Sequence, residues 1–358
     1  MATISASGVG SGLDINGIVS QLMSAERIPL SRLQTRETQI QSRLSAFGQI
    51  RSTLDGFKSA LAKLASGNQF GALAATSADP ATFKASAVAG AATGSYQVEV
   101  GLLAQTHKLA SNGFASADAA IGTGTLNIEF GNFDGTSFTA NASKPGFSVA
   151  IGAGQNTLAG VRDAINAANG GVTASIINDG TASRLVLSSG ASGAANSLKI
   201  SVADDDGSAT NATGLSQLAF DPAAVAGAGK NLSQTAAARD AQLLIDGIAV
   251  TSASNRVEGV IAGVTLDLVK AAPGTPVGLE VGADTAAIKG AVQGFVDAYN
   301  SASGTLRKLT QFVGAGNAGN GILIGDSTVR GIQNELRNLL NDTVTSGGSY
   351  TSLSDIGV

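Results

Sequence analysis

Three stretches of the sequence carry residue types that could perform chemistry, and each departs from the pattern that its chemistry requires. The loop Gly8-Val9-Gly10-Ser11-Gly12 precedes a predicted helix, as phosphate-binding loops do, but Leu13 stands where the dinucleotide fingerprint needs glycine. Gly229-Lys230-Asn231 is similar to the end of a P-loop, but no Ser or Thr follows the lysine. Asp204-Asp205-Asp206-Gly207 offers oxygen ligands for Ca²⁺, but an EF-hand needs glycine at Ala209. We expect Gly8–Gly12 to be a flexible lead-in to a helix and Asp204–Gly207 to be a solvated turn between strands.

The supply of other catalytic side chains is small. The chain of 358 residues has no cysteine and one histidine, His107. Disulfides and thiol nucleophiles are therefore excluded, and a His-rich metal centre or a Ser-His-Asp triad is disfavoured. We expect His107, beside Lys108 and just after a predicted strand, to be a surface or loop residue. The sequence predicts no enzyme, and neither a cofactor nor a metal site.

Charge and hydropathy exclude further classes. The chain has 22 basic and 26 acidic residues, a net charge of −4, whereas binders of nucleic acid or anionic membranes rely on basic surfaces. No apolar run reaches the ~18–20 residues that cross a bilayer, and no cleavable signal sequence is visible. With 47 glycines, 6 prolines and no tryptophan, the composition is that of a lean, turn-rich structural or secreted protein.

The N-terminal part of the chain has a helical period from Asp14 to Leu64. Its apolar stripe begins with Ile18 and Leu22, and we expect Pro29 to break the helix or start a new one. Gly67-Asn68 is a predicted stop. Beyond the proline the stripe continues at spacings of three and four with Ile40, Leu44, Phe47, Ile50, Leu54, Phe57, Leu61 and Leu64. Such a stripe needs a partner helix to cover it.

The C-terminal part supplies further helices. Asp284 is a predicted N-cap, and a third helix is predicted from Asp326. A heptad pattern follows the cap in Ile288, Val292, Phe295, Tyr299, Ala302, Leu306, Leu309 and Val313. These stripes could form an intramolecular core or an interface between molecules. The candidate residues for a leg or assembly interface are Ile18, Leu22, Ile40, Leu44, Phe47, Leu54, Leu61, Val292, Phe295 and Tyr299.

The middle of the chain has the alternation of β-strands, as in Tyr96–Val100 and Leu126–Phe130. Hairpins are predicted around Asn178-Asp179-Gly180 and Asp246-Gly247, and one helix is predicted after its cap Thr157. Helices at both ends with strands between them indicate a helical domain interrupted by a large β-rich insertion.

Several motifs resemble those of the bacterial flagellar filament cap family, also called hook-associated protein 2. One is Gly10-Ser11-Gly12-Leu13-Asp14-Ile15-Asn16, followed by Ile18-Val19, Gln21-Leu22-Met23, Ala25-Glu26 and Pro29-Leu30. The others are Asp240–Gly247 with Ser254-Asn255 and Ile261–Leu266, the stretch Phe295–Asn300, and the stretch Leu158–Leu187. Each motif is weak alone, but together they span nearly the whole chain.

The resemblance implies an α+β multidomain fold, a helical coiled-coil leg with two β-rich head domains inserted one within the other. We expect a flexible coiled-coil segment at 1–38, a leg at 39–72 with 284–358, an inner head at 73–108 with 238–283, and an outer head at 109–237. In the family, a C-terminal segment pairs with the N-terminal coiled coil. The chain stops at Val358, so we expect truncation and disorder over the first ~35 residues.

The resemblance also implies a function and partners. Family members form an oligomeric lid at the filament tip, which retains exported flagellin and promotes its folding and polymerisation. The implied partners are further copies of the chain in a ring of five or six, flagellin, and a type III export chaperone, with no nucleic acid and no membrane insertion. The implied location is the distal filament tip, reached through the flagellar type III channel. A surface adhesin or a hook–filament junction protein are the alternatives.

Overall fold

A computed structural model describes residues 14–65 and 70–341. The predicted loop at Gly8–Gly12, the helix stop at Gly67-Asn68 and the chain end at Val358 lie outside the described residues. The chain divides into two compact units, one built from its two ends up to Gly71 and from Asp284, the other from Ala72–Ala283. The predicted α+β multidomain fold is confirmed.

Four α-helices are present in the described residues, and three of them form the helical unit. They are α1 (Ile15–Ala65), α2 (Leu158–Ala167), α3 (Thr285–Thr310) and α4 (Ser327–Asn341). Asp284 caps α3 as predicted, since its side chain accepts a hydrogen bond from the Ala287 N–H at 2.8 Å. The core of this unit consists of Ala46, Ile50, Phe57, Phe295, Ala302, Leu306, Leu323, Val329 and Leu336.

Helix α1 differs from its prediction in two ways. It runs through Pro29 without ending, and it is helical from Ile15 through residue 35, within the range for which disorder was expected. Extending an existing helix costs far less than nucleating one, and α1 is anchored by its buried residues from Ala46 onward. Because Pro29 is exposed, water can bond the backbone carbonyl that the missing proline N–H leaves free.

The β unit contains the sixteen strands of the described residues. They are β1 (Leu73–Ser77), β2 (Phe83–Ala87), β3 (Gly94–Leu102), β4 (Thr106–Ala110), β5 (Gly124–Phe133), β6 (Phe138–Ala140), β7 (Phe147–Ile151), β8 (Val172–Asn178), β9 (Ser183–Ser192), β10 (Ser197–Asp204), β11 (Ser233–Ala236), β12 (Ala241–Ile245), β13 (Ile248–Ser252), β14 (Arg256–Glu258), β15 (Val264–Leu268) and β16 (Val277–Ala283).

Two antiparallel sheets enclose the first core of the β unit. One has the order β1-β16-β3-β12-β13 and the other the order β14-β15-β2. Their alternating inward residues, among them Phe83, Val98, Leu243, Leu266 and Leu279, form one hydrophobic cluster. The predicted hairpin is confirmed, since β12 and β13 are joined by Asp246 and Gly247 with φ of 49° and 82°, as a type I′ turn requires.

Two further antiparallel sheets enclose a second, larger core. One has the order β10-β5-β6, with β7 also pairing with β5, and the other the order β11-β4-β9-β8. Helix α2 packs Leu158, Val161 and Ile165 into this core, and Thr157 caps it as predicted. In the predicted β8–β9 hairpin, hydrogen bonds from Thr181 and Arg184 hold the pKa of Asp179 well below its usual value.

Along the chain, β1–β3 belong to the sheets around the first core, and β4–β11 belong to the sheets around the second core. Strands β12–β16 belong to the first core again. The four domain boundaries from the sequence stay a prediction. A division at residue 109 would cut β4, which begins at Thr106, and would separate His107 from the sheet in which it lies.

Candidate assembly surface

His107 is not a surface residue, and that prediction is wrong. It lies in β4 with 1% of its surface exposed. Its Nδ1 accepts a hydrogen bond from the Leu198 N–H at 2.8 Å, so Nε2 carries the proton and donates to Gln234 Oε1 at 3.0 Å. Burial lowers the pKa of the ring, and the bond to Gln234 opposes that shift. The histidine therefore links the sheet that contains β4 to the sheet that contains β10, and its ring is inaccessible to any substrate.

The other chemical candidates bond to their own loops. Asp204 accepts from the Ser216 N–H at 2.7 Å, and Asp206 accepts from the Ser208 N–H at 2.8 Å. Lys230 Nζ donates to the Pro222 carbonyl at 3.0 Å. Over residues 14–65 and 70–341 no three His, Asp or Glu side chains are grouped as a metal site needs. What remains as a candidate site is the set of apolar helix residues.

Some of the predicted interface residues lie in the core of the helical unit. Phe295 is 3% exposed, and its ring centroid lies 5.5 Å from that of Phe57. Tyr299 contacts the same ring at 6.2 Å, and Leu54 packs against this cluster. Val292 is half-buried. Leu54, Phe295 and Tyr299 hold α1 against α3 within one molecule.

Four of the remaining candidates, Ile18, Leu22, Ile40 and Leu44, lie between residues 18 and 45 of α1, where every residue is exposed. Leu22 is 62% exposed, Ile40 64% and Leu44 71%. Ile18, Phe47 and Leu61 are less exposed but not buried. A soluble surface does not ordinarily present so many large aliphatic side chains together, and such patches mark places where another molecule binds.

A helical turn of about 3.6 residues places most of these side chains on one face. Leu33, which is not among the predicted interface residues, lies on this face too and is 62% exposed. Its spacing of 11 residues from both Leu22 and Leu44 was the available signal. We call the following six residues the exposed stripe: Ile18, Leu22, Leu33, Ile40, Leu44 and Phe47. Val19, Met23, Ile28 and Leu30 are also exposed. Val19 and Leu30 border this face, three residues before Leu22 and Leu33, whereas Met23 and Ile28 lie off it.

The electrostatics of α1 are predominantly positive, with seven basic and three acidic side chains. Arg32 and Arg43 flank the exposed stripe, and Arg36 lies within it at the same helical angle as Ile18. None of the three has an ion-pair partner in the described part of the chain. The ion pair seen in this helix, Arg51 with Asp55, is exposed and 3.9 Å long. Exposed charges beside an apolar stripe set the choice and orientation of a helical partner.

None of the described helices is long and apolar enough to cross a membrane.

Comparison with protein families gives three matches. Residues 11–107 match the flagellar hook-associated protein 2 N-terminus, and residues 238–358 match its C-terminus. Between them, residues 132–191 match the flagellin hook IN motif. Together the three matches cover nearly all of the motifs that resembled this family, and the first includes the whole exposed stripe.

Known proteins agree with these matches. The chain is 38% identical to the B-type flagellar hook-associated protein 2 of Pseudomonas aeruginosa, over 98% of this chain and 73% of the relative. It is 33% identical to the flagellar hook-associated protein 2 of Escherichia coli K12, over 100% and 74%. The crystal structure of the flagellar cap protein FliD D1-D2-D3 domains from Escherichia coli superposes with a TM-score of 0.63 at 33% identity, covering 88% of this chain and 81% of that one. The chain belongs to the flagellar hook-associated protein 2 family, the family of the filament cap proteins.

Proposed function

We propose that this protein caps the flagellar filament, as an oligomeric lid that retains exported flagellin at the tip and promotes its folding and polymerisation. The observation that carries the proposal is the exposed stripe of α1, within a segment that matches the N-terminus of hook-associated protein 2. A lid must be held at the tip while subunits pass beneath it. A helix of about 77 Å provides a long surface for contact with the molecules that hold the lid there.

The exposed stripe supplies the energy for anchoring. Burying a Leu or Ile side chain contributes about 1.5–3 kcal/mol, so a few of these residues together stabilise a contact by several kcal/mol. In the proposed cap, the core residues Phe57 and Phe295 keep α1 attached to α3, while the exposed stripe faces other molecules. One helix thereby has an intramolecular half and an intermolecular half.

The proposed partners follow from family membership. They are further copies of the chain in a ring of five or six, flagellin, and an export chaperone. The proposed location is the distal tip of the filament, after export through the flagellar type III channel. The chain contains no cysteine, so disulfide formation places no constraint on such export.

The test replaces Ile18, Leu22, Ile40 and Leu44 with glutamine in the full-length protein. Glutamine keeps helix propensity near that of leucine, so the change removes apolar area rather than the helix. We expect cells that carry this variant to export flagellin but to lose it as monomer into the medium, with few or short filaments. The measurement is monomeric flagellin in the culture supernatant, together with filament length by electron microscopy.

The control replaces Met23 and Ile28 with glutamine. These residues are exposed and apolar, and they lie in the same helix but off the face of the exposed stripe. The control should retain flagellin as the wild type does. Normal filaments in the first variant, or equal leakage from both, would remove the exposed stripe from the mechanism.

A further inference from the structure

The chain passes between the first and the second core of the β unit twice, and the two cores share no residue. It leaves the first core after β3 and returns to it before β12. We call the two crossing segments, 103–105 and 237–240, the joint. Within the joint, Gln105 and Arg239 exchange two backbone hydrogen bonds of 2.9 and 3.2 Å. Arg239 also donates from Nε to the Leu103 carbonyl at 3.1 Å. The two crossing segments are therefore bonded to each other.

Ala104, in the middle of the first crossing, pairs with no strand in the described part of the chain. It is 7% exposed, and a buried backbone group without a partner is costly. The side chain of Asn255 supplies both partners. Its Oδ1 accepts from the Ala104 N–H at 2.7 Å, and its Nδ2 donates to the Ala104 carbonyl at 3.0 Å. An amide side chain carries an acceptor and donors side by side, so Asn255 takes the place of a strand where the chain changes sheets.

Asn255 itself is fixed to the first core and lies close to the second. Its carbonyl accepts from the Leu268 N–H at 2.7 Å, and it directly precedes β14. Two residues earlier, Ala253 contacts the second core, because Ser192 Oγ donates to its carbonyl at 2.7 Å. Gly193 passes so close that a Cβ there would lie 2.8 Å from the Cβ of Ala253. The loop of Asn255 therefore contacts both the joint and the second core.

Across the joint, the two cores meet through hydrogen bonds and small residues, while their apolar clusters stay separate. Asp240, at the end of the second crossing, accepts from the Ala194 N–H of the second core at 2.8 Å. A cleft of about 730 Å³ lies beside the joint, lined by Ala253–Asn255 on one side and by Gly190–Ser192 on the other. Polar interfaces of this kind ordinarily permit relative motion, and the cleft leaves room for it. A fixed orientation of the two cores therefore depends on a few hydrogen bonds.

We propose that Asn255 is the latch of the β unit. While its amide holds Ala104, the second core keeps one orientation relative to the first. When the amide is removed, the second core rotates about the joint and across the cleft, with the paired Gln105 and Arg239 as the hinge. This role belongs to the β unit alone and does not depend on the proposed cap.

The absence of native cysteine allows a direct test with spin labels in the purified full chain. Lys84→Cys in β2 and Ser201→Cys in β10 place one label on each core, and both positions are exposed. Pulsed electron paramagnetic resonance then measures the distribution of distances between the two labels. We expect one narrow peak in this background. Adding Asn255→Leu should give a broad or two-peaked distribution, because leucine is similar in size to asparagine but cannot bond the backbone of Ala104.

The matched control is Asn178→Leu, the same exchange at the β8–β9 turn. The side chain of Asn178 accepts from the Gly180 N–H at 2.8 Å, a bond within its own turn. The distribution between the labels on the two cores should stay as narrow in this control as in the labelled background.

Two further measurements separate the latch from a loss of folding. Labels at Thr173→Cys and Ser201→Cys both lie on the second core, and their distribution should not change when Asn255→Leu is added. Asn255→Asp keeps the acceptor but loses the donor to the Ala104 carbonyl, so it should also broaden the distribution between the cores.

Three results would overturn the proposal. They are a distribution between the cores that is already broad before Asn255 is changed, one that stays narrow in Asn255→Leu, and equal broadening within the second core. Flagellin retention in cells tests the cap separately, so the two failures are distinguishable.

Discussion

Protonation of His107 should weaken the β unit in a pH range where no other side chain of the protein ordinarily titrates. The ring is neutral when buried, and its pKa lies below the ordinary 6.5 because burial disfavours the charged form. A second proton would also place an N–H at Nδ1 against the Leu198 N–H, which that nitrogen now accepts. The unfolded chain has no such restraint and takes up its proton near pH 6.5.

The direction and size of the effect follow from this difference. Below pH 6.5 the unfolded state binds one more proton than the folded state, so stability is complete above that pH and falls as pH decreases toward the folded-state pKa. The free energy of unfolding should fall by at most about 1.4 kcal/mol at pH 5.5 and at most about 2 kcal/mol at pH 5, the limits reached by a folded ring that stays neutral. For a unit of this size, 2 kcal/mol lowers the melting temperature by about 4–8 °C.

The assay is calorimetric unfolding of the full chain between pH 5 and 7.5, with His107→Gln as the control. The variant should be less stable than the wild type at every pH. The stability of its β unit should, however, no longer change between pH 5 and 7. Carboxylates with lowered pKa values, such as Asp79, Asp134 and Asp221, lose their stabilising charge only at more acidic pH. A wild-type slope equal to that of the variant would refute the role of His107.

Two further predictions concern stability within each unit. Phe57→Ala should destabilise the helical unit by about 3–5 kcal/mol, because it empties the contact with Phe295 and Tyr299, while Phe47→Ala in the exposed part should cost much less. Circular dichroism during thermal unfolding checks this, and equal effects of the two would contradict the assigned core. Gly247→Val should cost about 1–3 kcal/mol in the β unit, since φ is 82° there; a stability equal to that of the wild type would show that the turn tolerates a side chain.

Local sequence signals predicted most of the elements. The caps Thr157 and Asp284 each accept a hydrogen bond from a backbone N–H three residues later. The turn at Asp246-Gly247 is fixed by the backbone conformation of those two residues. The helical period of α1 is likewise a property of the sequence alone. Such features are decided by neighbours in the chain, so they do not depend on how distant segments meet.

Pro29 shows where a local rule was insufficient. A proline inside a helix removes one hydrogen bond, and the sequence therefore predicted a break. Helix α1 continues through it, because the residues on either side favour the helix and the exposed backbone can bond to water. The balance between these contributions is set by the length of the whole helix.

The sequence by itself determined the stripes, the charges and the family motifs of this protein. Only the tertiary structure decided that Leu54 and Phe295 lie in a core while Leu22 and Leu44 face outward, since one periodic pattern covers both sets. Only the tertiary structure placed His107 between Leu198 and Gln234, which are 91 and 127 residues away. A residue's spacing fixes the face of the element on which it lies, but burial depends on which distant segment covers that face.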